Sequence, residues 1–180
     1  MPSESKYKHI LITGRPGIGK TTLIKKIVTE IKRLRPNWHI TGFYTSECRQ
    51  KGRRIGFDIH TLDGQQGVLA RLIDTEFKSN FRVGKYSVDV TDLNDIAVPL
   101  LYQQAELVII DELGKMELFS PQFREAVEYA LDNQSRILAT IPYYENIFLT
   151  SIKHKSSVQI WELNRSNQKK VFEKIVELFK

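Results

Sequence analysis

The sequence predicts an α/β fold, a mostly parallel sheet flanked by helices, with an antiparallel β extension over about residues 40–90. Three observations predict it. Short apolar runs alternate with amphipathic helical stretches at both ends of the chain, and such alternation builds a parallel sheet covered on both faces. Between them, residues 40–90 carry several short strand-like runs separated by turn chemistry. A glycine-rich loop lies between the first strand and the first helix, and ligands of open α/β sheets sit beyond the carboxyl ends of the strands.

In order, His9–Thr13 is a short apolar run bounded by the glycine loop, hence a buried strand. Lys20–Leu34 places Leu23, Ile27, Ile31 and Leu34 on one helical face, with Ile24 and Val28 beside it, and Pro36 marks where that helix has ended. Ile40–Thr45, Arg54–Thr61, Val68–Leu72 and Lys85–Val90 read as strands, with turns at Lys51-Gly52 and Asp63-Gly64. Tyr86, Val88 and Val90 alternate with Ser87 and Asp89, as in a half-buried strand. Asp92 is the expected cap of a helix carrying Leu93, Ile96, Ala97, Leu100 and Leu101, kinked or delayed by Pro99. Leu107–Asp111 is a fully apolar strand ending in an acid. Ser120-Pro121 is an N-cap followed by proline at the first helical position, and Phe123, Val127 and Leu131 follow at helical spacing. Arg136–Ile141 and Val158–Leu163 read as strands, a short helix runs from about Tyr144 to Lys153, and Gln168–Lys180 is the closing helix.

With 180 residues and no repeat or Pro/Gly/Ser linker, residues 1–180 are expected to form one domain with room for one insertion. Hydrophobic residues at 41% and charged residues at 27% exclude collagen-like and disordered classes. No apolar run approaches the roughly 20 residues of a membrane span, and the N-terminus does not read as a signal peptide. One cysteine, Cys48, makes no internal disulfide, so a reducing cytoplasm is the expected compartment. The net charge of +6 suits anionic partners or simply a solvated surface.

Gly14-Arg15-Pro16-Gly17-Ile18-Gly19-Lys20-Thr21 fits the phosphate-loop pattern G-x-x-x-x-G-K-[ST] at every fixed position, directly after a strand and before a helix. The glycines let successive backbone N–H groups turn inward on a phosphate, and the following helix adds its positive end. Lys20 is expected on the β- and γ-phosphates, Thr21 on Mg²⁺, and Thr22 beside them. Leu107–Asp111 followed by Glu112 reads as a Walker B strand. Asp111 would hold Mg²⁺, and Glu112 would prepare water as a general base. Lys115 is either an in-cis charge stabiliser or a solvated loop lysine, and Glu117 pairs with it or with Arg15. Thr140 either touches the γ-phosphate or the attacking water from the tip of its strand, or simply ends that strand.

Arg49, Lys51, Arg53 and Arg54 form either an anion-facing patch or a charged hairpin tip that protects a sheet edge. His9, His39, His60 and His154 are scattered without metal-ligand spacing. Trp161 reads as a core or rim residue, with base stacking the rarer alternative.

Taken together these residues resemble the cancer-related nucleoside-triphosphatase family over nearly the whole chain. The resemblance rests on Leu11–Thr22, Gly42–Thr45, Gly52–Phe57, Val83–Tyr86, Ile110–Ser120 and Thr140-Ile141-Pro142, the string Ile110–Ser120 being the most specific. It implies small P-loop enzymes that hydrolyse NTPs to NDP and phosphate with Mg²⁺, slowly and with broad base tolerance. This chain departs at Ser166-Asn167-Gln168, where the family usually has Glu-Asn-Arg; Asn164-Arg165 sits three residues earlier.

The expected partners are therefore nucleoside triphosphates, with nucleic acid an optional partner, no membrane, and a monomer as the default state. A P-loop kinase for nucleosides or other small acceptors is the first alternative, but no arginine-rich lid helix is visible and Glu112 favours water activation. A nucleic-acid-stimulated ATPase is the second; the basic hairpin would suit it.

Overall fold

The computed structural model describes residues 7–73, 79–133 and 136–180. In chain order the elements are β1 (His9–Thr13), α1 (Lys20–Leu34), β2 (Ile40–Gln50), β3 (Arg53–Thr61), β4 (Gln66–Leu72), β5 (Phe81–Val83), β6 (Tyr86–Val88), a π-helical turn (Leu93–Ala97), α2 (Val98–Leu101), β7 (Leu107–Asp111), a 3-10 turn (Glu117–Phe119), α3 (Pro121–Asp132), β8 (Arg136–Thr140), α4 (Ile147–Lys153), β9 (Val158–Glu162) and α5 (Gln168–Leu178). They fall into two compact units.

The first unit holds β1, α1, β7, β8, α4, β9 and α5. Its strands are all parallel: β1 lies between β8 and β9, and β7 pairs with β8. β1, β7 and β8 are short and mostly apolar because helices cover such sheets; Ile10, Leu11, Ile12, Val108, Ile109, Leu138 and Ala139 are buried, while β9 buries Val158 and then alternates half-buried and exposed positions. Helices α1 and α5 pack together, α1 burying Leu23, Ile24, Ile27, Val28 and Ile31 and α5 burying Val171, Ile175 and Val176. At the far end of α1, Trp38 meets Phe179 edge-on at 6.4 Å between ring centres, with Arg35 and Arg136 over the indole. Parallel alignment brings Thr13, Asp111, Thr140 and Glu162, the last residues of four strands, to one edge.

The second unit contains an antiparallel meander. β2 pairs with β3, β3 with β4, and β6 with both β4 and β5. The β2–β3 hairpin closes on Lys51-Gly52, both at positive φ (48° and 78°), the mirror-image turn whose twist matches the strands. Phe43 packs against Phe123 of α3 at 5.9 Å in the core of this unit, and the Ser120 hydroxyl caps α3 by accepting from the Phe123 N–H at 3.0 Å.

Several local expectations are corrected. β2 runs on to Gln50 rather than stopping at Thr45, because its pairing with β3 continues to the turn. The 81–83 strand was not expected, and β6 stops at Val88. Ser87 is buried rather than solvated; its hydroxyl accepts from the Ser79 N–H at 2.9 Å, which makes burial tolerable. Asp92 does not cap its helix: its carboxylate accepts from the Val68 N–H at 2.6 Å, and the helix begins as a π turn before Pro99. The short helix before β9 starts at Ile147, where the Asn146 side chain caps it, rather than at Tyr144.

Candidate active site

The site is built at the carboxyl edge of the parallel strands. Chain leaving β1 enters the glycine loop, where Ile18 N–H bonds back to Arg15 C=O at 3.2 Å. Gly14 is fixed as glycine both by its φ of 151° and by space, since a Cβ there would lie 2.7 Å from the Leu163 carbonyl oxygen. Gly19 is fixed by conformation, at φ 98° and ψ 27°, in the left-handed region that directs the chain into α1. Arg15, Pro16 and Gly17 are exposed, Ile18, Gly19, Lys20 and Thr21 are half-buried, and Thr22 is exposed on the first turn of α1. The Lys20 ammonium folds back over the loop and donates to the Gly14 carbonyl at 3.3 Å.

β7 delivers two carboxylates to the same edge. Asp111 is 1% exposed. One of its oxygens, Oδ1, accepts from the Thr140 hydroxyl, while Oδ2 is buried with no hydrogen-bond partner among the described residues. Burial pushes the Asp111 carboxyl above its ordinary range; the Thr140 and Thr21 hydroxyls and the Lys20 charge pull it partly back. Glu112 follows across a cis peptide. It too is raised, chiefly by burial, with Lys20 opposing and the Asp111 charge adding to the rise. Thr140 holds both neighbours of Glu112: its hydroxyl holds Asp111, and its carbonyl accepts from the Leu113 N–H at 2.9 Å.

A glycine loop that carries Arg15 and Lys20 and opens directly into the N-terminus of α1 suits a polyanion. Comparison with known proteins agrees. A family model described as NTPase matches residues 9–176. The nucleoside-triphosphatase THEP1 of Thermotoga sp. (strain RQ2) is 48% identical over 174 residues, covering 95% of each chain. The chain belongs to this NTPase family. The human cancer-related nucleoside-triphosphatase is 38% identical over 182 residues, covering 94% of this chain and 95% of its own. The crystal structure of THEP1 from the hyperthermophile Aquifex aeolicus superimposes with a TM-score of 0.83 at 35% identity, covering 96% of this chain and 99% of that one. The fold is thus the α/β P-loop fold the NTPase family shares.

The structure brings Lys20, Thr21, Asp111, Glu112 and Thr140 into one first-unit cluster. Lys115 and Glu117 belong to the second unit, Lys115 exposed on a turn and Glu117 buried at the start of the 3-10 turn. Of the basic hairpin, Arg49 and Arg54 are both engaged by Glu47, at 2.5 and 2.6 Å, and Arg54 also donates to the Tyr86 hydroxyl at 2.8 Å. These pairings hold Glu47 below the usual carboxylate range and fit a hairpin tip better than an anion patch. Trp161 is half-buried with the Lys174 ammonium 5.6 Å from its ring centre.

Sequence reasoning missed one contact. Gln168, the first residue of α5, donates from Nε2 to the Ile18 carbonyl at 2.9 Å. The loop before it is braced by reciprocal bonds between Asn164 and Asn167, and Leu163 N–H bonds to Thr13 C=O at 2.8 Å. The departure from the family string at 166–168 was the only sequence signal at this place.

Proposed function

We propose that this chain hydrolyses nucleoside triphosphates to the diphosphate and phosphate, with Mg²⁺, slowly and with little preference among bases. One observation carries the reading: the glycine loop, with Lys20 folded over it, leaves β1 at the same strand edge to which β7 brings the buried Asp111 and the half-buried Glu112. The names of the Thermotoga and human relatives, both nucleoside-triphosphatases, support the reaction class.

The residues fit a hard dication. Asp111 has a buried carboxylate oxygen without a partner among the described residues, and Thr21 supplies a hydroxyl close enough to lower the Asp111 carboxyl. Thr21 and Asp111 would hold Mg²⁺, which supplies neutralisation of phosphate charge. Backbone N–H groups of the glycine loop other than Pro16, which has none, and Ile18, whose N–H is bonded to Arg15, bind the triphosphate with the Lys20 ammonium and absorb charge that builds up on it. Glu112 takes the proton from water as the water oxygen bonds to the γ-phosphorus and the bond from that phosphorus to the β–γ bridging oxygen breaks. Thr140 orients Asp111 rather than touching phosphate. Lys115 serves as an added cation; Lys115→Ala would then lower kcat at unchanged nucleotide affinity.

Base tolerance follows from this inventory, since every group in it addresses phosphate, metal or water, which all NTPs share. Slowness follows from the lack of an assigned arginine finger, a group worth about 10³–10⁵ in GTPases. The test is phosphate release from ATP, GTP, CTP and UTP without an acceptor, with and without nucleic acid, at fixed Mg²⁺. The reading expects release from all four, and loss of it in Lys20→Ala. A base preference above about 10³, a kcat above about 10 s⁻¹, or turnover only with an added acceptor would overturn it.

A further inference from the structure

We propose that Gln168 is a positioning residue of the phosphate loop, setting the direction in which the Gly19 N–H points. The inference rests on the reading of Gly14–Thr21 as the triphosphate site and adds a residue to it. The Gln168 amide donates to the Ile18 carbonyl at 2.9 Å across 150 residues of sequence. The peptide between Ile18 and Gly19 is planar and trans, so its C=O and N–H point in opposite directions. A donor that holds the carbonyl on the α5 side therefore holds the N–H on the other, toward the concave face of the loop. On the helix side, Gly19 is held by its own carbonyl, which accepts from the Leu23 N–H at 2.9 Å; among the described residues no other hydrogen bond reaches the Ile18 carbonyl. Gly19 has φ 98° and no side chain, and the Ile18 N–H bonds to Arg15, not to the peptide that follows. A glycine in that state has more backbone freedom to lose on binding than any other residue.

Gln168 is itself anchored. It opens α5, whose Val171, Ile175 and Val176 are buried, and Asn167 before it donates to the Glu162 carbonyl at 2.8 Å. The same stretch supplies the Leu163 carbonyl that leaves no room for a side chain at Gly14. Both ends of the glycine loop thus lean on residues 163–168. Because the Gly19 N–H would contact phosphate in ground and transition states alike, losing its orientation raises KM and leaves kcat nearly unchanged.

The experiment compares wild type with Gln168→Ala, Gln168→Glu, Gln168→Arg and Lys20→Ala. ATP with Mg²⁺ is the probe, and the readouts are KM, kcat, ATP affinity, the thermal midpoint and the amide signal of Gly19 in the nucleotide-free protein. Gln168→Ala and Gln168→Glu are expected to raise KM about three- to tenfold, the size of one net hydrogen bond, with kcat within twofold. The Gly19 signal moves in both, and Gln168→Arg, which again offers an N–H donor, returns KM to within twofold of wild type. KM in Gln168→Ala within twofold of wild type, or Gln168→Arg no better than Gln168→Ala at an equal thermal midpoint, overturns the proposal. Lys20→Ala separates the two levels. If it loses ATP while Gln168→Ala keeps wild-type KM and ATP affinity, the positioning role alone fails; if it binds ATP like wild type, the phosphate-loop reading fails with it.

Discussion

Thr140 donates its hydroxyl to Oδ1 of Asp111 and accepts the Leu113 N–H on its carbonyl, so one residue of β8 holds the chain on both sides of Glu112. Neither bond requires phosphate. Both residues are essentially sealed from solvent, and Thr140 supplies the hydrogen bond that makes a buried carboxylate tolerable.

Removing that hydroxyl isosterically leaves Asp111 buried with a lost partner. Thr140→Val is expected to destabilise the nucleotide-free protein by about 1–3 kcal/mol, the cost of an unsatisfied buried polar group, whereas Thr140→Ser should recover most of it. Urea unfolding of the three proteins reads the difference. Equal midpoints for Thr140→Val and wild type would show that the bond contributes nothing to the fold.

Glu112 is expected to trade stability for activity. Its charge is disfavoured by burial and by Asp111 beside it. Glu112→Gln keeps the volume and removes the charge. The variant should melt above wild type when nucleotide-free, by about 2–4 °C for each kcal/mol relieved in a chain of this size. It should also bind NTP normally and hydrolyse it about 10²-fold more slowly or worse. A melting point at or below wild type would count against the strain; turnover within a few-fold of wild type would move the water-activating role elsewhere.

Much of this was legible in the residues, and the gaps have one physical cause. β1 and α1 begin and end where the apolar run, the glycine loop and the helical face place them, because those signals are local. The acid pair Asp111 and Glu112 was visible as an acid end on an apolar strand. The Thr140–Asp111 bond follows instead from two parallel registers, Ile12 opposite Thr140 and Ile110 opposite Ala139, and a register between strands 29 residues apart leaves no local trace. The same holds for Gln168 on Ile18. Asp92 looked like a cap because its own helix follows it, but a strand N–H competed for its carboxylate and won.

The raised carboxyls also fix opposite pH trends for stability and activity. A carboxyl whose folded value lies above its unfolded one keeps its proton longer in the native state. Unfolding then releases protons, so its contribution to stability is full below the unfolded value and falls as pH rises toward the folded one. Activity runs the other way, since Glu112 accepts a proton only when ionised. Groups held low, such as Glu47 beside Arg54 and Arg49, add the opposite slope at lower pH. The informative quantity is therefore the difference between wild type and Glu112→Gln. Its stability advantage should grow from acid toward neutral pH, over the window in which wild-type kcat/KM climbs. An advantage that does not change with pH would show that Glu112 ionises normally in the fold.

Two loop glycines, both at positive φ (151° at Gly14 and 74° at Gly17), differ in crowding. At Gly14 a Cβ would sit 2.7 Å from the Leu163 carbonyl and 3.2 Å from the Ile18 side chain. Leu163 cannot retreat easily: it is 2% exposed and its N–H is bonded to Thr13. At Gly17 nothing lies within 4 Å of the added carbon, and the cost is only that of φ 74°, roughly 1–2 kcal/mol for an L-residue in the left-handed region. Gly14→Ala should therefore lower the thermal midpoint of the nucleotide-free protein well beyond Gly17→Ala, although both weaken ATP binding by reshaping the loop. Stability is the discriminating readout, because it is measured without phosphate. If the two variants melt together, the close approach of Leu163 to the loop is not a real constraint, and the support that residues 163–168 give to the glycine loop would be confined to Gln168.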